Sequence, residues 1–209
     1  MLKTTPKRLV IATRNPGKIV EFRRILNELS DGAVELIGAD EFPDLVDVEE
    51  TGTTFAENAL LKARYTAKVT GLPAIADDSG LCVDALNGNP GLFSARWAGV
   101  HGNDTANVAK VLDELAEVAD AKRGAHFICV AALVMPDGRE ALAEGFFHGR
   151  ILRAPVGDNG FGYDPIFSPL GMSISSAQLN AEEKDAISHR GKSLRAIAPH
   201  VMEMLAGLR

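Results

Sequence analysis

The sequence predicts an α/β protein, with a mixed central sheet, flanking helices and a cleft beside them. Three observations carry that prediction. In the first half, short apolar runs alternate with segments of helical period, the pattern of βαβ crossovers. In the second half, two longer strand-like segments face each other across Pro136-Asp137-Gly138, as an antiparallel pair would. A chain of 209 residues, 46% of them hydrophobic, is also long enough to bury a sizeable core. It reads as a single domain over 1–209, or as two tightly joined lobes.

Each element follows from local chemistry. Residues 8–13 read as a buried strand, with Asn15 as N-cap and Pro16 as first residue of a helix to about Leu29. Residues 33–38 suggest a second strand. The acidic loop DEFPDLVDVEETG (40–52) leads into a helix from about Thr54 to Thr70. Thr54 and Glu57 have capping-box spacing there, and Gly71 supplies the stop. PAIAD (73–77) reads as a third strand, LCVDAL (81–86) as a fourth and NGNPG (87–91) as a turn. Asn103-Asp104 can cap a helix from about Thr105 to Ala119. The antiparallel pair is HFICVAALVM (126–135) and REALAEGFFHGRIL (139–152). A glycine-rich loop, GDNGFGYDP (157–165), precedes a short strand at 166–168. A helical turn around 176–185 and a helix from about 189 to 207 complete the pattern.

Composition narrows the function. The net charge of −6 argues against a nucleic-acid-binding module, whose footprint is basic. An anionic substrate would need local lysines, arginines or a metal. No apolar run approaches the roughly 20 residues that span a bilayer, and MLKTTPKRLV lacks the apolar stretch of a secretory signal. The expectation is a cytoplasmic protein with no membrane partner. Cys82 and Cys129 sit in apolar strands as small core thiols, and there is no C-x-x-C pair. The five histidines show no H-E-x-x-H spacing, which argues against a zinc enzyme.

Six stretches can carry chemistry, and each also has a plain structural reading. In IATRNPGK (11–18) a strand opens into a helix whose N–H groups could meet an anion, or the loop is an ordinary turn. In AIADDSG (74–80) two aspartates end an apolar strand, where α/β sheets bind ligands, or they begin a turn. Neighbours on a strand face opposite ways, so Asp77 and Asp78 should have different roles. Glu49 and Glu50 either favour the dipole of the following helix or join Asp78 in an all-oxygen magnesium site. On that helix Phe55, Ala56, Ala59, Leu60, Ala63 and Ala67 share one face, with Asn58 and Lys62 at its edge. Lys62 either snorkels to water or reaches for an anion. GFGYDP (160–165) lays Phe161 on a flat ligand or packs it into the core, and KDAISHRG (184–191) sets Lys184, His189 and Arg190 around a helix start that Ser188 can cap. No G-x-S-x-G elbow is present. Trp97 is either a core residue or part of a subunit contact.

Taken together, these stretches resemble the inosine/xanthosine triphosphate pyrophosphatase family. The matching pieces are TRNPGK (13–18), EETGTTFAENALLKA (49–63), ADDSGL (76–81), PGLFSAR (90–96), GFGYDPIF (160–167) and EKDAISHRG (183–191). The resemblance implies two lobes around a substrate cleft, usually assembled as a homodimer; the acidic balance leaves no nucleic-acid partner expected. It also implies magnesium-dependent cleavage of ITP, dITP, XTP or dXTP to the monophosphate and pyrophosphate. Asp78 is then the proton acceptor and a metal ligand, helped by Glu50 or Glu49, and Lys62 neutralises phosphate. Thr13, Asn15 and Lys18 grip the triphosphate, in a loop shared with Arg14 (a variable position), Pro16 and Gly17. Ser79 lies near the substrate. Phe161, flanked by Gly162 and Tyr163, stacks on the purine, while Asp164, Lys184, His189 and Arg190 surround the base or its sugar. The resemblance also separates the chain from related pyrophosphatases that prefer pyrimidine or modified nucleotides.

Overall fold

The computed structural model describes residues 6–207. The sheet holds six strands in the order β2-β1-β3-β4-β5-β6, formed by Lys7–Ile11 (β1), Val34–Gly38 (β2), Ala74–Val83 (β3), Gly124–Val134 (β4), Glu140–Ile151 (β5) and Phe167–Pro169 (β6). β1 runs parallel to β2 and β3, whereas β5 and β6 are antiparallel, so the sheet is mixed as the sequence predicts. The helices are Pro16–Ser30 (α1), Phe55–Thr70 (α2), Asp104–Glu114 (α3), Ala181–Ile187 (α4) and His189–Ala206 (α5).

The chain divides into two compact units. One comprises residues up to Asp78, Val130–Gly145 and residues from Arg190 onward; the other comprises Ser79–Cys129 and Phe146–His189. In the first, alternate side chains of β1 enter two separate clusters. Leu9 and Ile11 pack with Phe22 and Ile25 of α1 and Leu194 and Ile197 of α5. Val10 joins Ala59, Ala63 and Ala67 of α2. β1 is therefore buried on both faces, which is why it reads as a continuous apolar run. In the second unit Leu81, Val83, Val111, Leu115, Phe127, Phe147 and Phe167 share one core.

Caps fix the helix starts. The Asn15 side chain accepts from Lys18 N–H, and the Thr54 side chain accepts from Glu57 N–H. Gly71 ends α2 at φ 66°, a left-handed position open to glycine. The buried stripe of α2 is Asn58, Ala59, Ala63, Thr66 and Ala67, rotated from the expected face so that Asn58 lies well inside. Cys129 is buried but Cys82 is only half-buried. Trp97 is half-buried too, donating to Glu114 at 3.0 Å beneath the Lys110 ammonium. Among the described residues no helix is long and apolar enough to cross a membrane.

The strand pattern departs from expectation at one place that matters. The predicted third and fourth strands are one, and Asp77-Asp78-Ser79-Gly80 lies within it rather than at its end. Turn-forming side chains give way here because Gly80 lets the segment after Pro90 approach closely. Ser94 Oγ accepts from Leu81 N–H at 2.9 Å and donates to the Gly91 carbonyl at 2.6 Å. A Cβ on Gly80 would lie 2.3 Å from that carbonyl oxygen. α3 also ends earlier than the sequence suggests, at Glu114, where the buried Arg123 guanidinium donates to the Leu115 carbonyl at 2.6 Å.

Gly80→Ala should therefore destabilise the fold by about 1–3 kcal/mol, the usual cost of overpacking. Urea unfolding measures it, and an unchanged midpoint would show that the close approach is not a constraint.

Candidate active site

The site grows from two adjacent aspartates on β3 that face different partners. Asp77 Oδ2 accepts from Arg190 Nε at 3.2 Å and Nη2 at 3.0 Å, and lies 3.1 Å from Lys18 Nζ. Arg190 also donates through Nη1 to Glu21 on α1. Asp78 faces α2, where its Oδ2 accepts from Asn58 Nδ2 at 3.0 Å and its Oδ1 lies 3.6 Å from Lys62 Nζ. Lys62 donates to Glu50 Oε1 at 2.7 Å, so Glu50 and Asp78 meet on one ammonium. Glu49 is exposed.

The loop after β1 brings Lys18 in. Thr13 Oγ1 accepts from Asn15 N–H at 3.2 Å, and Asn15 caps the helix that Pro16 and Gly17 begin. Arg14 turns outward to Asp47 at 2.9 Å and to the Leu45 carbonyl, tying this loop to the acidic one.

Environment drives the two aspartates apart. Burial would raise Asp77, but Lys18, Arg190 and Lys62 outweigh it and hold the carboxyl far below the ordinary range. For Asp78 burial prevails over Lys62 and Lys18, with Glu50 adding to it, and the carboxyl is pushed up. Burial pulls Lys62 down, yet Asp78, Glu50 and Asp77 together lift it above its ordinary value, so it stays charged. Neighbouring carboxyls with opposite shifts divide into a fixed charge and a proton acceptor.

The residues fit a magnesium ion in part. Two carboxylates converging on one point, completed by substrate phosphates, is a usual magnesium donor set. Among the described residues no three acidic, histidine or cysteine side chains gather to hold a metal alone. The cluster pairs three cations (Lys18, Lys62 and Arg190) with four carboxylates (Glu21, Glu50, Asp77 and Asp78). It has no surplus positive charge for a triphosphate, and a divalent ion would correct that.

In the second unit a smaller group forms around Asp164. Its Oδ2 accepts from Phe161 N–H at 2.9 Å and from Lys184 Nζ at 2.5 Å, and that ammonium stands 5.0 Å from the Phe161 ring centre. Lys184 comes from α4, whose start Asn180 and Glu183 cap reciprocally. Gly162 N–H donates to Asp104 at 2.8 Å. The Tyr163 side chain is a core group, with its hydroxyl donating to the Ser94 carbonyl at 2.8 Å. His189 is buried and stacks on Phe127 at 4.8 Å. Ser79 is half-buried next to Asp78. Ser188 ends α4 immediately before α5.

Sequence reasoning missed Glu21, Asn58 as a site residue, and Gly52. The available signals were a glutamate on the apolar face of α1 beside Phe22, and one amide in a stripe of alanines. Arg190, which the resemblance puts near base or sugar, has its guanidinium buried against Asp77 and Glu21, a contact no local pattern announces.

Asp77 contributes stability that is fully present above its unfolded value of about 3.9, and that is lost as pH falls below it toward the depressed folded value. Wild-type stability should therefore fall steadily in acid below about pH 4. Asp77→Asn should fall less steeply, while losing about 3–5 kcal/mol at neutral pH because Lys18 and Arg190 lose the buried carboxylate they share and Glu21 alone remains beside Arg190. Urea melts across pH decide it; parallel acid slopes would remove Asp77 from this role.

The geometry belongs to a chain with clear relatives. The family model for the Ham1 family matches residues 9–200. A dITP/XTP pyrophosphatase of Streptomyces coelicolor is 58% identical over 200 residues, 95% of this chain and 98% of that one. The dITP/XTP pyrophosphatase of Corynebacterium efficiens is 52% identical over 94% of this chain and 98% of its own. Among solved structures, a HAM1 protein from Coxiella burnetii superposes with a TM-score of 0.83 at 43% identity, covering 94% of this chain and 99% of that one. With a family match and relatives of this closeness along nearly its whole length, the chain belongs to the Ham1 family.

Proposed function

We propose that this protein hydrolyses non-canonical purine nucleoside triphosphates (ITP, dITP, XTP and dXTP) to the monophosphate and pyrophosphate, clearing them from the nucleotide pool. The observation that carries the reading is Asp78, a buried carboxyl pushed upward and held between Asn58, Lys62 and Glu50. Asp78 takes a proton from water as its oxygen attacks the α-phosphorus. The bond from that phosphorus to the α,β-bridging oxygen breaks, and its electron pair leaves on pyrophosphate. Lys18 and Lys62 exchange carboxylate partners for phosphate oxygens and stabilise the charge passing to the leaving group. Asp78 and Glu50, rather than the exposed Glu49, would hold magnesium, which neutralises phosphate charge and polarises the reacting phosphoryl group. Thr13, Asn15 and the N–H groups around Pro16 and Gly17 steady the triphosphate.

For the base, Phe161 supplies a stacking face and Lys184 a donor fixed by Asp164. A donor aimed at O6 pairs with hypoxanthine or xanthine. Against the amino group of adenine it meets another donor and stays unsatisfied, which is how a buried polar site rejects an analogue. His189, in its aromatic stack, shapes the same end. The reading takes the enzyme to be a homodimer, as the family resemblance implies, and to be cytoplasmic without nucleic-acid or membrane partners, as its acidic charge and lack of long apolar runs suggest.

Purified protein should release pyrophosphate from ITP and XTP only with magnesium, and far faster than from ATP or GTP. Orthophosphate as sole product would move the cut to the γ-phosphate and overturn attack at the α-phosphorus. Asp78→Asn should fold yet turn over about 10²–10⁴ times more slowly, the range for a lost acid–base group. Lys62→Met should reduce kcat/KM by about 1.5–3 kcal/mol for one charged hydrogen bond, and an unchanged value would return Lys62 to a solvent-seeking role.

A further inference from the structure

Asn58 lies in the first turn of α2 with only 2% of its surface exposed, on a helix face otherwise built of small apolar side chains. A buried amide is costly unless both of its ends are bonded. Here both are, and to groups far apart in the chain. Oδ1 accepts from Gly52 N–H at 2.8 Å, and Nδ2 donates to Asp78 Oδ2 at 3.0 Å. The two partners also fix the amide's orientation. A backbone N–H needs an acceptor and a carboxylate needs a donor, so a flipped amide would satisfy neither. Neither aspartate nor leucine could replace both bonds.

The link is tight at the loop end as well. A Cβ on Gly52 would lie 2.6 Å from Asn58 Oδ1 and 2.8 Å from Glu57 Cβ, so only glycine lets the loop approach this closely. Gly52 is two residues beyond Glu50, the carboxylate that meets Asp78 on Lys62. Fixing Gly52 to α2 therefore fixes where Glu50 can reach.

We propose that Asn58 is a positioning residue, whose single amide couples the Glu50 loop to Asp78 and so assembles the two carboxylates into one cation site. The proposal rests on the pyrophosphatase reading for its consequence, but not for its geometry. A buried asparagine that only supports the fold would lower stability without acting selectively on Glu50.

The test combines hydrogen exchange with metal dependence in Asn58→Ala, Gly52→Ala, Glu50→Gln and the doubles with Glu50→Gln. In Asn58→Ala the amides of residues 47–54 should exchange at least tenfold faster, with α1 and α5 unchanged. The magnesium concentration giving half-maximal pyrophosphate release from ITP should rise by about 10–100-fold, as for other groups that orient metal ligands. With Glu50→Gln already present, the same substitution should add less than about threefold, because groups acting through one another are not additive. Gly52→Ala removes neither atom of the Asn58–Asp78 bond but forces the Gly52 N–H away from Asn58 Oδ1, so it should reproduce both effects even if Asn58→Ala does not fold. Unchanged exchange over 47–54 in a folded variant, or effects on magnesium that multiply fully with Glu50→Gln, would overturn the proposal. Wild-type protein that does not hydrolyse ITP at all would count against the pyrophosphatase reading instead, and the exchange result would then decide the coupling alone.

Discussion

The first unit is organised around a buried negative charge. Asp77 is placed in the middle of a strand with 1% of its surface exposed, where an uncompensated carboxylate would cost several kcal/mol. Two cations answer it, Lys18 from the first turn of α1 and Arg190 from the start of α5, and Glu21 of α1 in turn balances Arg190. Residues more than a hundred positions apart are thereby joined at one carboxylate oxygen. The register of β3 follows from this, since a slip of one residue would exchange the faces of Asp77 and Asp78. A buried pair of this kind contributes little net stability compared with apolar packing, but removing one partner is expensive. Its consequence is arrangement: it fixes which aspartate faces α1 and α5 and which faces α2.

That arrangement separates two chemically identical residues. Asp77 is surrounded by cations and stays a permanent charge. Asp78 is offered less compensation, with Lys62 at 3.6 Å and Glu50 beside it, and is driven toward accepting a proton. In the proposed reaction this is what distinguishes a structural carboxylate from a base. Lys18 and Lys62, which already stand opposite carboxylates, would in that reaction exchange one set of oxygens for another on binding a triphosphate, with a divalent ion supplying the missing positive charge.

Much of this was legible in the sequence, and what was not has a physical cause. Asn15-Pro16, Thr54 with Glu57, and Gly71 mark helix ends because capping depends on a few adjacent residues. The alternation of neighbours on a strand was enough to give Asp77 and Asp78 different partners. The Asp-Asp-Ser-Gly segment misled because turn propensity is local, whereas its place within β3 is decided by Ser94 and the close approach at Gly80. Glu21 and Arg190 were opaque for the same reason. Nothing within ten residues of either reveals that the two will meet, and only the folded chain joins them. Asn58 shows the limit of periodicity: the pattern placed it on the edge of the apolar face, but hydrogen bonds to Gly52 and Asp78 allowed the helix to turn it inward.

The smaller group in the second unit follows the same logic with fewer parts. Lys184 and Asp164 neutralise one another while buried, and the carboxylate also holds the Phe161 N–H, so ring, ammonium and carboxylate are set by one shared oxygen. A lysine held in this way has lost most of its freedom to follow a ligand. If it meets a purine, it can present a donor only in one direction, and a base with its own donor there gains nothing by shifting. Selectivity of this kind comes from rigidity more than from the number of contacts, because a mobile ammonium would turn aside to water and tolerate either base. Each unit thus restrains its lysines with carboxylates: Lys18 and Lys62 beside Asp77, Asp78 and Glu50 in the first, and Lys184 beside Asp164 in the second.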